Sequence, residues 1–153
     1  MDNKEAIDLI GGMMWTKKAA VFLLVLDHVL SNLESAVVTH SKCKEAVELC
    51  WVWLSDHSVS ADRLAYFLDS DEMQNGPLAE HNFKSESLEQ DSLILIMLVV
   101  GFFAHQAYKV SGQQKKMSAS VCEADEGAAE YIVDYIDKVG LINILSVYLS
   151  ANG

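Results

Sequence analysis

The segment "SLEQDSLILIMLVVGFFAHQAYK", residues 87–109, decides the fold of this chain. Ser87 and Gln90 fit the capping box that begins many helices, and no proline follows within the segment. Its centre is apolar on every face, which is typical of a helix surrounded by other helices. The pattern therefore predicts a long central helix over approximately residues 87–110, and Gly101 inside it predicts a close helix crossing.

The longest uninterrupted apolar run, Leu93–Ala104, is shorter than the roughly 18 to 20 residues that span a bilayer. An earlier apolar stretch, "TKKAAVFLLVLDHVL" at residues 16–30, imitates a secretory signal, but Asp27 and His28 stand where small residues and a cleavage site would be expected. Both stretches are interpreted as core helices. We expect a protein that neither crosses nor binds a membrane.

The composition favours an all-α fold in one domain over residues 1–153. Of 153 residues, 51% are apolar and 22% are charged, and the chain has one proline and eight glycines, too few for the many turns of an all-β protein. The patterns predict a bundle of about six to seven helices around the central one. Besides the central helix, the expected helices cover residues 3–12, 16–32, 41–55, 60–70, 120–140 and 141–150.

Two of these helix starts carry a capping signal. Thr16 is a good N-cap, and Ser120 with Glu123 fits a second capping box. The last segment, "LINILSVYLS" at residues 141–150, is ambiguous between helix and strand, and the helical context favours helix.

Known catalytic and metal-binding motifs do not occur. The three cysteines form no CxxC pair, which favours a reducing cytoplasm over a disulfide framework. HExxH, HxH, a calcium loop and a glycine-rich phosphate loop are missing as well. We expect no catalytic residue, no metal, no cofactor and no enzyme.

Negative charge is concentrated in two segments. Residues 56–91 hold nine acidic and two basic residues, and residues 123–138 hold six acidic and one basic, within a net charge of −11 for the chain. Such a surface repels nucleic acid and anionic membranes and attracts a basic partner. A general role of the acids in solubility is the alternative.

The candidate partner-binding site joins an aromatic side chain to the acids that follow it. Residues two apart on a helix point about 200° away from each other, so Trp51 and Trp53 face different ways. We expect Trp51 in the core and Trp53 facing outward, although both could be core residues. The candidate partner-binding residues are Trp53, Asp56, Asp62, Tyr66, Asp69, Asp71 and Glu72.

The sequence resembles a family of small all-helical immunity proteins from bacterial polymorphic toxin systems. The resemblance covers roughly residues 15–140, and its most specific element is Cys-Trp-x-Trp-Leu at Cys50–Leu54, followed by Leu-x-Tyr-Phe-Leu-Asp at Leu64–Asp69. The later stretches "FFAHQAYK" and "EYIVDYIDKV" also belong to it.

This resemblance implies a cytoplasmic protein that binds a cognate toxin domain and blocks it without catalysis. Together with the acids, it predicts inhibition by steric and electrostatic occlusion of a basic domain, such as a nuclease. The alternatives are a helical adaptor that binds an amphipathic segment in an apolar groove and a small metal-dependent hydrolase.

Overall fold

The computed structural model describes residues 1–152, and within that range it is helical without strands. Seven of its helices have nine residues or more, in agreement with the predicted six to seven. The elements of the described range are α1 (Asn3–Gly11), α2 (Trp15–Val29), a 3-10 turn (Leu30–Leu33), α3 (Val37–Asp56), α4 (Ala61–Asp69), α5 (Asp71–Gln74), a 3-10 turn (Glu80–Asn82), α6 (Leu88–Val110), a 3-10 turn (Gln114–Lys116), α7 (Ala119–Glu123), α8 (Ala128–Lys138) and α9 (Ile142–Asn152).

The predicted central helix is confirmed as α6. Ser87 caps it by accepting the backbone N–H of Gln90 at 3.1 Å, and the Gln90 side chain accepts the N–H of Glu86 at 2.9 Å. The helices α2, α3, α4, α7 and α8 all pack against α6. Its side chains Phe102 and Phe103 lie fully within the hydrophobic core cluster.

By length and composition alone, α6 is apolar enough to cross a membrane, which the short apolar run had not suggested. In the folded chain, however, 61% of its most apolar stretch of 18 residues is buried against other elements. The core helix of a soluble protein has the same properties.

Gly101 marks the predicted close crossing. A Cβ atom at Gly101 would lie 3.0 Å from Cδ2 of Leu68 in α4 and 3.2 Å from Cβ of Ala124 after α7. Both distances are tighter than most real Cβ contacts. The absent side chain therefore allows α4 and the end of α7 to approach α6.

Two predicted N-caps and one predicted helix start are wrong. Met14 rather than Thr16 precedes α2, and α3 begins at Val37, one turn before Ser41, since no proline or glycine separates the two. Ser118 rather than Ser120 caps α7 by accepting the N–H of Val121 at 3.2 Å.

The predicted helix over residues 120–140 is two helices, α7 and α8. The carboxylate of Asp125 accepts the backbone N–H of Gly127 at 2.9 Å, which forms a local turn that competes with the helix. A similar local bond explains α5, which lies outside the predicted helices: Ser70 accepts the N–H of Met73 at 3.2 Å and begins one helical turn. The ambiguous segment after residue 140 is helical.

Candidate partner-binding surface

One side of α4 carries three of the predicted partner-binding residues. Asp62, Tyr66 and Asp69 are separated by four and three positions, so they share one face of the helix. All three border a shallow depression of about 270 Å³. Asp71 and Glu72 follow in the exposed first turn of α5. These five residues are called the acidic surface below.

Asp62 is held in place by two donors. The hydroxyl of Tyr108 donates to one carboxylate oxygen at 2.7 Å, and Nζ of Lys116 lies 3.2 Å from the other. These bonds, the one from Tyr108 first, hold the pKa of Asp62 below its usual range. The carboxylate remains exposed and charged at neutral pH.

Tyr66 links α4 to α5. Its hydroxyl donates a short hydrogen bond to the carboxylate of Glu72, and this bond raises the pKa of Tyr66. Asp69 accepts a hydrogen bond from the hydroxyl of Ser118 at 2.7 Å, which connects the end of α4 to the start of α7. The carboxylates of Asp62, Asp69 and Glu72 are therefore held by side-chain hydrogen bonds.

Asp56 lies apart from this surface, at the last residue of α3. Its carboxylate accepts the backbone N–H of Ser58 at 2.9 Å, and hydrogen bonds with Ser58 lower its pKa. No contact described within residues 1–152 joins Asp56 to the acids of α4 and α5. It is exposed and shapes the turn after α3.

The prediction that Trp53 faces outward is wrong. Only 4% of Trp53 is exposed, and its ring makes edge contacts with Trp15 and Phe103 at centroid distances of 5.6 and 6.2 Å. His57 ends α3 with a left-handed backbone (φ 58°) and stacks its ring on Trp53 at 4.1 Å. The ring of His57 thus covers the side of Trp53 that would otherwise face solvent.

Trp51 is partly buried and packs against the core, as expected for the other tryptophan of the pair. Its side chain also hydrogen-bonds the carboxylate of Asp27. Desolvation raises the pKa of Asp27, and this hydrogen bond partly opposes the increase. Both tryptophans therefore contribute mainly to packing.

An apolar groove with a volume of about 570 Å³, which was not predicted from the sequence, lies between α6, α7 and α8. Its floor is a stripe of α6 at spacing i, i+3, i+4, i+7, which ends at Gly101. Glu80 and Glu123 are its two carboxylates. The side chains that give the groove its apolar character are Leu68, Ile94, Met97, Leu98, Ala124, Ala128 and Tyr131. The sequence contains this stripe, but every face of α6 is apolar, so the pattern did not distinguish the stripe from the buried faces.

Among the residues that the structure describes, no three histidine, cysteine, aspartate or glutamate side chains are grouped as metal ligands would be. The two cysteines of α3, Cys43 and Cys50, are buried, while Cys122 is exposed.

An all-helical fold that exposes an ordered acidic surface and an apolar groove fits the class of proteins that act by binding another protein. Comparison with known families makes this specific. The family model described as Immunity protein Imm6 matches residues 17–139, and the chain belongs to that family. No curated protein and no solved structure matches the chain. Membership implies a cognate toxin protein as the binding partner, and immunity proteins are generally non-enzymatic.

Proposed function

We propose that this protein neutralises its cognate toxin in the cytoplasm by covering a basic toxin domain, such as a nuclease, with the acidic surface of α4 and α5. The observation that supports this proposal most strongly is the grouping of Asp62, Asp69, Asp71 and Glu72 on adjacent exposed turns of a chain that belongs to an immunity protein family. A toxin domain that acts on a polyanion carries a basic surface for its substrate, and carboxylates match that surface.

The hydrogen bonds of the acidic surface support a role in recognition. Tyr108 and Ser118 fix the carboxylates of Asp62 and Asp69 at 2.7 Å each. Side chains that are ordered before binding lose less conformational entropy when a partner docks. Complementary charge also accelerates association and excludes partners with the wrong charge.

The same charge disfavours other partners. With a net charge of −11, the chain repels nucleic acid and anionic lipid headgroups. Inhibition would then follow because this protein covers the toxin. It would not require this protein to bind the nucleic acid that the toxin acts on.

The first experiment is to co-purify this protein with the polypeptide encoded next to its gene and to test whether it restores growth when that polypeptide is expressed. Stopped-flow association is then measured with the triple variant Asp69→Lys, Asp71→Lys and Glu72→Lys. We expect the association rate at low salt to fall at least about tenfold and its salt dependence to flatten, since steering depends on these charges.

A matched control reverses Asp8, Glu34 and Glu48, which are exposed and lie outside the two acidic segments. It changes the net charge by the same amount, so any effect of total charge appears in both variants. An equal effect of the two variants, or unchanged rates and salt slope in the first, would remove the acidic surface from the interface. Thermal melting checks that loss of the bond between Asp69 and Ser118 leaves the fold intact.

A further inference from the structure

The floor of the apolar groove is an exception within α6, which is otherwise largely buried. Most of α6 is covered by neighbouring helices, but Ile94, Met97 and Leu98 are only partly buried and line the groove. On the wall formed by α8, Tyr131 is 65% exposed. Partly exposed apolar side chains around a concave surface indicate a binding site for an apolar group.

The charge of the groove restricts its occupant. Its lining residues, all within the described part of the chain, include the carboxylates of Glu80 and Glu123 and no cationic side chain. A second copy of this acidic chain would bring like charges together, whereas a segment with lysine or arginine beside its apolar residues would pair with both carboxylates.

The groove lies next to the acidic surface. Leu68 lines the groove, and the next residue of α4, Asp69, belongs to the acidic surface. The bond between Asp69 and Ser118 lies at this junction, and Ser120 of the same helix start lines the groove. A partner bound to the acidic surface is therefore close to the groove.

We propose that the groove binds a basic amphipathic helix of the toxin, with apolar anchors on one face and lysine or arginine at its margins. From Ile94 to Gly101 the floor is about 10 Å long, at about 1.5 Å per residue, which suits about two helical turns. A helix that docks in such a groove presents apolar residues at i, i+3, i+4 and i+7. This inference rests on the proposed function, since it takes the toxin as the partner.

The test uses the full chain in complex with the toxin encoded beside its gene. A photo-cross-linking amino acid replaces Met97 in one variant and Tyr131 in another, and mass spectrometry identifies the toxin peptide that each captures. Val38 in α3 and Val147 in α9, which are 61% and 64% exposed, serve as control positions. We expect both groove positions to capture one toxin segment with apolar residues at helical spacing and basic flanks, and the controls to capture little.

Affinity provides an independent measurement. Tyr131→Ala should weaken the complex about thirtyfold, mainly through faster dissociation, as expected for an aromatic anchor. Because Tyr131 is largely exposed, this substitution should preserve the fold, which thermal melting checks. Val147→Ala is the matched control and should change the affinity less than about twofold.

The possible failures are distinguishable. If the complex forms but the groove variants bind normally and capture no toxin peptide, the groove inference is overturned while the proposed function stands. Capture of an acidic segment, or of a second copy of this chain, also overturns it. If the toxin does not bind the wild-type protein at all, both the proposed function and the groove inference fail.

Discussion

Adding one methyl group at Gly101 should lower the free energy of unfolding by about 1 kcal/mol. The new Cβ would lie 3.0 Å from Leu68 Cδ2 and 3.2 Å from Ala124 Cβ. The Leu68 side chain can rotate, but the Cβ of Ala124 moves only if the connection between α7 and α8 shifts. Alanine gains about 1 kcal/mol over glycine in helix propensity, and overpacking costs about 1 to 3 kcal/mol, so the net loss is about 0 to 2 kcal/mol.

Urea unfolding followed by circular dichroism measures this difference, and for a chain of this size 1 kcal/mol corresponds to about 2 to 4 °C in Tm. Gly11→Ala is the control, because a Cβ at Gly11 meets nothing within 4 Å. It should be neutral or stabilising by up to about 1 kcal/mol.

A double-mutant cycle isolates the steric contact. Ala124→Gly removes the atom that Gly101→Ala would meet, so the double variant should recover about 1 kcal/mol relative to the sum of the two single variants. A Gly101→Ala protein that is as stable as the Gly11→Ala protein, with no coupling to position 124, would refute the close crossing.

Three further predictions concern the core and the titratable groups. Trp53→Ala should cost about 3 to 5 kcal/mol in urea unfolding, as a truncated core aromatic does, and toxin affinity lost without any loss of stability would instead return Trp53 to the interface. Burial raises the pKa of Cys43 to about 12 and raises that of Cys50 as well. At pH 8 a chromogenic disulfide reagent should therefore modify only Cys122 in the folded protein and all three thiols in urea. Fast reaction of more than one thiol in the folded protein would contradict the packing of α3. The pKa of Tyr108 is raised, first by desolvation and then by its carboxylate partner. The stabilisation from this shift is complete below the pKa of Tyr108 in the unfolded chain, about 10, and is lost as the pH rises from there through the pKa in the folded protein. Urea unfolding between pH 8 and 11 should show the start of this loss above about pH 10, and Tyr108→Phe should reduce it.

The sequence predicted α6 well because its signal is local. Capping by Ser87, length and continuous apolarity all lie within one segment, and the predicted bounds of about 87–110 match Leu88–Val110. The family resemblance was also carried by local motifs, and the match over residues 17–139 confirms it.

The wrong predictions concern contacts between residues that are far apart in sequence, or local hydrogen bonds that compete with helix formation. Helical spacing separated Trp51 from Trp53 but could not show that Trp15 and Phe103 pack against Trp53 while His57 covers it. The carboxylate of Asp125 interrupts the helix expected after residue 120, because a bond to its own backbone competes with helical pairing.

The groove could not be predicted from the hydrophobic pattern of any single segment. Leu68, the α6 stripe and Tyr131 come from three separate segments, and only the tertiary fold brings them together. Of the predicted partner-binding residues, the structure groups Asp62, Tyr66, Asp69, Asp71 and Glu72; their contact with a toxin stays a prediction.

Helix α6 both packs in the core and forms the floor of the groove, and this affects how the sequence of such a protein can vary. Neighbouring helices constrain most positions of α6, and Gly101 tolerates little, so substitutions on this helix risk the fold together with any change in the groove. Substitution of exposed residues in the groove wall, such as Tyr131 and Glu123, does not carry this risk to the fold. In a lineage that follows a changing toxin, we expect variation to accumulate on α7 and α8 first, while α6 stays nearly constant.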